Sequence, residues 1–198
     1  MTSRATRHVR LAAVCAVLWA GTPGAAGFQG SPSDADDALR VFHQKVNLYA
    51  ALHRRLEGPL PPRASARDTF SALVARRYLG SAIRSARVSA RPGDIIDPGA
   101  ARAFRAIIAK AFTDPGGAAL ADEFRRRAAS PVPDPVVNEP YPMEVAELVP
   151  EAILQHLPVL AEDVEYRAVN ADLILWDVHA EIVVDVLPGA FLPSSGNR

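Results

Sequence analysis

The sequence predicts an α+β protein: about four N-terminal helices, a Pro-rich strap and a C-terminal three-stranded antiparallel meander. Three observations carry this prediction. Apolar residues recur at steps of three and four from residue 33 to about residue 127. Five prolines crowd the twelve residues from Pro131 to Pro142. Beyond about residue 164 the pattern changes to short runs of Val, Ile, Leu and aromatics separated by polar breaks.

Before the first helix, Arg4, Arg7 and Arg10 precede an apolar run, Leu11 to Ala20, and then the small residues of Gly21 to Gly27. This is the three-part order of a secretory signal peptide. The run is shorter than the roughly 20 apolar residues a spanning helix needs, so cleavage near Ala26 or Gly27 is expected and an uncleaved anchor is the alternative. Residues 1–27 are therefore assigned to the signal. The expected location is periplasmic or extracellular, with no stable membrane span after cleavage. Cys15 lies inside the apolar run, not after it as a lipoprotein cysteine would, and is the chain's one cysteine. The mature chain then has no disulfide and no thiolate chemistry.

Ser33 to Glu57 reads as the clearest helix. Asp34, Asp36 and Asp37 suit its positive N-terminus, Arg54 and Arg55 its last turn, and Gly58-Pro59 its end. Leu39, Phe42, Val46, Tyr49, Leu52 and Leu56 form its apolar stripe. A stiff connector to Arg63 leads to a second helix, opened by Ser65 and ending near Val88, with Phe70, Leu73, Val74, Tyr78, Ala82 and Ile83 facing inward. Asp97-Pro98 and Asp114-Pro115 each read as a helix start with proline at the first helical position. The strap is expected to be extended, close to polyproline II. Glu144 to Leu148 and Glu151 to Leu157 read as helical turns broken at Pro150. Val164–Val169, Leu173–Asp177 and Glu181–Val186 are the expected strands, with helices covering one face of the sheet and a frayed tail after Pro188. The organisation is thus 28–130 helical, 131–143 strap and 144–198 short helices plus β-meander, with 28–198 as one domain.

Charge is unevenly spread. Residues 54–127 hold 15 basic and 7 acidic side chains, whereas 128–198 hold 2 and 12. Two packed halves pairing their charges is the simpler explanation; a basic surface for an anionic partner is the other. Arg77, Arg84, Arg87 and Arg91 line one face of the second helix and its exit, which makes them the candidate partner-binding stripe. Aromatic interleaving is poor, so no nucleic acid is expected as partner.

Catalytic motifs are missing from the sequence: no Gly-x-Ser-x-Gly elbow, no phosphate-cradling glycine loop and no His-x-x-x-His pair. His43 and His53 are ten residues apart, about 15 Å along a helix, too far to share an ion. His179, with Asp177 beside it and Asp185 on the next strand, is the candidate metal site, set against the simpler role of a polar turn residue. Trp176 is expected as a core anchor.

The tail from Leu173 to Val186 and the segment from Leu52 to Pro62 together resemble an uncharacterised exported protein family of GC-rich soil bacteria. That resemblance implies export but no activity. The terminal strand-turn-strand is also similar, over about a dozen residues, to RcnB-type periplasmic proteins linked to nickel and cobalt homeostasis. The leading expectation is an exported, non-catalytic envelope or extracellular binding protein with no cofactor and an unidentified envelope or extracellular partner. A metal-responsive periplasmic protein and an unrecognised enzyme are the alternatives.

Overall fold

A computed structural model describes residues 32–58, 69–129 and 132–192. The signal segment, the cap at Ser65 and most of the connector before it lie outside the described residues. The element order is α1 (Pro32–Glu57), α2 (Thr69–Ala86), α3 (Pro98–Thr113), α4 (Gly117–Arg127), β1 (Glu147–Leu148), α5 (Glu151–Leu154), β2 (Val164–Val169), β3 (Asp172–Asp177) and β4 (Ile182–Leu187). The strands form one antiparallel sheet in the order β1-β2-β3-β4. The chain is α+β, with a fourth, two-residue strand where the sequence suggested a helical turn. Its register explains the difference: Glu147 and Leu148 pair with Ala168 and Arg167, so a sheet edge satisfies their backbone.

The sheet is covered on both faces. Leu173, Leu175, Ile182 and Val184 pack with Phe42, Ile83, Phe104 and Phe124 from the helices. Ile174, Trp176, Val183 and Val186 pack on the other side with Val137 and Tyr141 of the strap. Double coverage accounts for strands that read as nearly continuous apolar runs. Trp176 is a core anchor, fully buried in the strap-side cluster. The strap also occupies the outer edge of β4. Asn138 N donates to Val183 O, Val183 N donates to Glu139 O, and Pro140 bridges Ile182. An otherwise open edge is thereby blunted. Asn138, at φ 66, turns its side-chain amide onto the carbonyls of Arg84 and Arg87, closing the C-terminal end of α2.

Helix α3 starts as its sequence indicates. Asp97 accepts from Gly99 N and Ala100 N at 3.0 Å, and Pro98 occupies the first turn. The other carboxylate oxygen accepts from Lys45 Nζ at 2.9 Å, clipping α3 to α1. Helix α4 does not repeat this start: Gly116, at φ 85, turns the chain and the helix opens at Gly117 with no side-chain cap.

On α2 the buried face is Leu79, Gly80 and Ile83, whereas Leu73, Val74 and Tyr78 are exposed. Gly80 sets this rotation, because a Cβ there would lie 2.9 Å from Ala180 O. Only a bare backbone lets α2 approach the β3–β4 turn so closely. The tail after Pro188 is not frayed over its described part: Phe191 is fully buried and stacks on Phe124 at 4.1 Å. Among the described residues, no helix is long and apolar enough to cross a membrane.

Candidate metal centre

The site forms where the C-terminal half of α1 meets the loop before β2 and the turn between β3 and β4. Helical spacing puts Tyr49, His53 and Glu57 on one face of α1, one turn apart. His53 points into the protein and its side chain is fully buried. Asp163 precedes β2, and His179 sits in the β3–β4 turn.

Asp177, the last residue of β3, organises the whole arrangement from a position with no solvent exposure. Its Oδ1 accepts from His179 N at 2.9 Å and Ala180 N at 2.7 Å. These bonds form an Asx-type turn that fixes the backbone carrying His179. Glu181, at φ 55, completes the turn. The other oxygen, Oδ2, accepts from Tyr49 Oη at 2.6 Å and lies 2.6 Å from His53 Nδ1.

Burial works against ionisation of Asp177. The bonds from His53, the Ala180 amide and Tyr49 overcome it and hold the carboxyl below its ordinary range. An ionised carboxylate accepts only, so His53 Nδ1 carries the proton. The lone pair of a neutral His53 then resides on Nε2, which is buried and has no hydrogen-bond partner among the described residues.

Around this nitrogen, Glu57 Oε2 stands at 3.3 Å and Asp163 Oδ1 at 3.7 Å. His179 Nδ1 lies 3.0 Å from Asp163 Oδ1. One donor atom each from His53, Glu57, Asp163 and His179 fall within 4.8 Å of one another. Bonds of about 2.0–2.2 Å in a tetrahedron put ligand atoms roughly 3.4 Å apart, so the spread suits a zinc-sized ion after sub-ångström closure. The backing carboxylate at Nδ1 supplies the outer shell that ligating histidines use. Two carboxylates and two neutral imidazoles balance a divalent charge. The nitrogen-rich set favours zinc or a neighbouring transition ion over magnesium or calcium.

The electrostatics agree with a site built for positive charge. Burial alone lowers the His53 pKa, but the bond to Asp177 and the charges of Asp163 and Glu57 outweigh it and raise the value above its ordinary range. Tyr49 is pushed well above its ordinary value, first by burial and then by Asp177, which keeps the phenol protonated and donating.

Of the residues singled out from sequence, His179 belongs to this cluster. Asp177 stands behind His53 with both oxygens engaged, as a positioning group. Asp185 lies elsewhere. Because β4 carries an irregularity opposite Leu175/Trp176, Asp185 pairs with Leu175 while Asp177 pairs with Ile182. The Asp185 carboxylate instead accepts from Gly93 N, Ile95 N and Ile96 N, fixing the loop before α3. Sequence reasoning missed His53, Glu57 and Asp163. The His53-x-x-x-Glu57 spacing, one helical turn, was the available signal. Three acids of the C-terminal half, Asp163, Asp177 and Asp185, are thus buried.

The arginine stripe divides. Arg84 pairs with Glu139 at 2.6 Å. Arg87 donates to Val184 O and lies over the Tyr49 ring at 5.0 Å. Arg77 and Arg91 have exposed side chains. With Arg76–Glu181 and Arg127–Glu147 added, the basic and acidic halves pair their charges across the fold.

No family model, curated protein or solved structure matches this chain.

Proposed function

We propose that this protein binds a divalent transition-metal ion outside the cytoplasm, through His53, Glu57, Asp163 and His179. This reading narrows the expected role of an exported binding protein to an ion as the bound species, and takes up the metal-responsive alternative. The observation that carries it is His53 Nε2: a buried imidazole nitrogen without a hydrogen-bond partner among the described residues, oriented from behind by Asp177 and facing two carboxylates. A buried polar atom without a hydrogen bond is costly, and a bound cation would remove that cost. The export part of the proposal is supported by the segment from Arg4 to Gly27.

Calorimetric titration of the metal-stripped protein with zinc is the test. One ion per chain is expected, with binding abolished in both His53→Ala and His179→Ala. Zinc binding unchanged in both variants, or absent from the wild type while its fold is intact, would contradict the proposal.

A further inference from the structure

We infer that a groove one turn back along α1 binds a free α-amino acid with an aliphatic side chain, through Arg87, Asp94 and an apolar wall. The groove, about 290 Å³, lies between α1, the end of α2 and the loop before α3. None of the four metal donors lines it, so this second site stands independently of the metal reading. Its volume is at the small end for ligand sites and suits one small molecule, not a peptide.

Two opposite charges meet in this groove without pairing. Arg87 and Asp94 both line it, and neither has an ion-pair partner among the described residues. The Arg87 guanidinium is held in place: Nη2 donates to Val184 O at 3.0 Å, and the group lies over the Tyr49 ring at 5.0 Å. Its other terminal nitrogen, Nη1, is buried and has no hydrogen-bond partner among the described residues. An unused N–H on a fixed cation is costly, and a carboxylate drawn to this guanidinium offsets that cost. Asp94 is exposed, and its Oδ2 accepts from Arg91 N at 2.8 Å. That bond fixes the carboxylate and leaves Oδ1 without a hydrogen bond among the described residues.

This charge pattern selects the ligand. Lys45 also lines the groove, but its Nζ is engaged with Asp97 Oδ2 at 2.9 Å. One cation and one anion therefore remain available. A simple carboxylate meets repulsion from Asp94, and a simple amine meets it from Arg87. A zwitterion, whose carboxylate and ammonium share one carbon, offers a partner to each.

Leu48, Leu52 and Ile95 supply the third contact. Leu48 is 71% exposed, so an aliphatic ligand has apolar surface to cover. Ile95 is buried and its amide is fixed on Asp185, which makes that part of the wall rigid. A side chain of valine or leucine size buries its surface there, whereas glycine has none to bury.

The test is calorimetric titration of the protein in chelator, which removes zinc as a competing partner for the amino acid. L-leucine is compared with isocaproate, which lacks the ammonium, with isoamylamine, which lacks the carboxylate, and with glycine. Leucine is expected to bind about 10-fold or more tightly than each of these. Arg87→Gln and Asp94→Asn are each expected to weaken leucine by a similar factor. Asp94→Asn alters only an exposed side chain and keeps an acceptor for Arg91 N, so it decides the matter even if Arg87→Gln unfolds. It is also expected to strengthen isocaproate, a gain that damage to the fold would not produce. No leucine binding by the folded wild type overturns the inference. Isocaproate bound as tightly as leucine overturns the ligand class in favour of a plain carboxylate, and leucine affinity unchanged in Asp94→Asn overturns the site.

Discussion

Asp177 does two jobs with two oxygens. One fixes the turn that presents His179, the other orients His53 and receives the Tyr49 phenol. Asp177→Asn changes one acceptor into a donor and removes the charge behind His53. We expect zinc affinity to fall by about 10–100-fold while the four donors remain present. Tyr49→Phe deletes a single donor to the same oxygen and is expected to have a smaller effect on calorimetric affinity. Without metal, the pH dependence follows from the two partners. The His53 pKa is raised above its ordinary 6.5, so its contribution to stability is full below that value and is lost as pH rises through the raised one. Asp177 is lowered from 3.8, so its contribution is present above that value and is lost as pH falls through the lowered one. Thermal melts in chelator should therefore lose stability on the alkaline side, and His53→Gln should flatten that decline. With zinc present the trend should reverse there, because ligands must shed protons to bind.

At the scale of elements, local signals in the sequence located most boundaries, and long-range contacts decided the rest. The Asp97-Pro98 start is legible because cap and helix are neighbours in sequence. The two-residue strand β1 is not, since its partners lie about twenty residues away on β2. The inward face of α2 was misread for the same reason: Gly80 is chosen by a carbonyl a hundred residues further on, at Ala180. Half of the site was invisible likewise, because His53 and Asp177 are 124 residues apart and the irregular register of β4 displaces Asp185. Gly80→Ala tests the close approach. The added methyl meets backbone, so a loss of about 1–3 kcal/mol in denaturant unfolding is expected. It should also weaken zinc binding, since it pushes on the turn that carries His179.

Across the whole molecule, the contrast between a basic first half and an acidic second half resolves into pairs that span the fold, such as Arg76–Glu181, Arg84–Glu139 and Arg127–Glu147. These pairs are largely solvent-exposed, and each contributes about 0–1 kcal/mol at most. Stability rests instead on a sheet buried between helices and strap. An ion bound as proposed would join α1 to the loop before β2 and to the β3–β4 turn, segments more than a hundred residues apart. Zinc at 100 times its dissociation constant should add about 2.7 kcal/mol to unfolding stability. His53→Ala should remove that increment, whereas removal of an exposed pair, as in Glu139→Ala, should leave it in place. The most direct measurement is X-ray absorption at the zinc edge of the loaded protein. A first shell of nitrogen and oxygen near 2.0–2.1 Å is expected, with outer-shell scattering from two imidazoles. A shell of oxygens alone, or one containing a single imidazole, would contradict it.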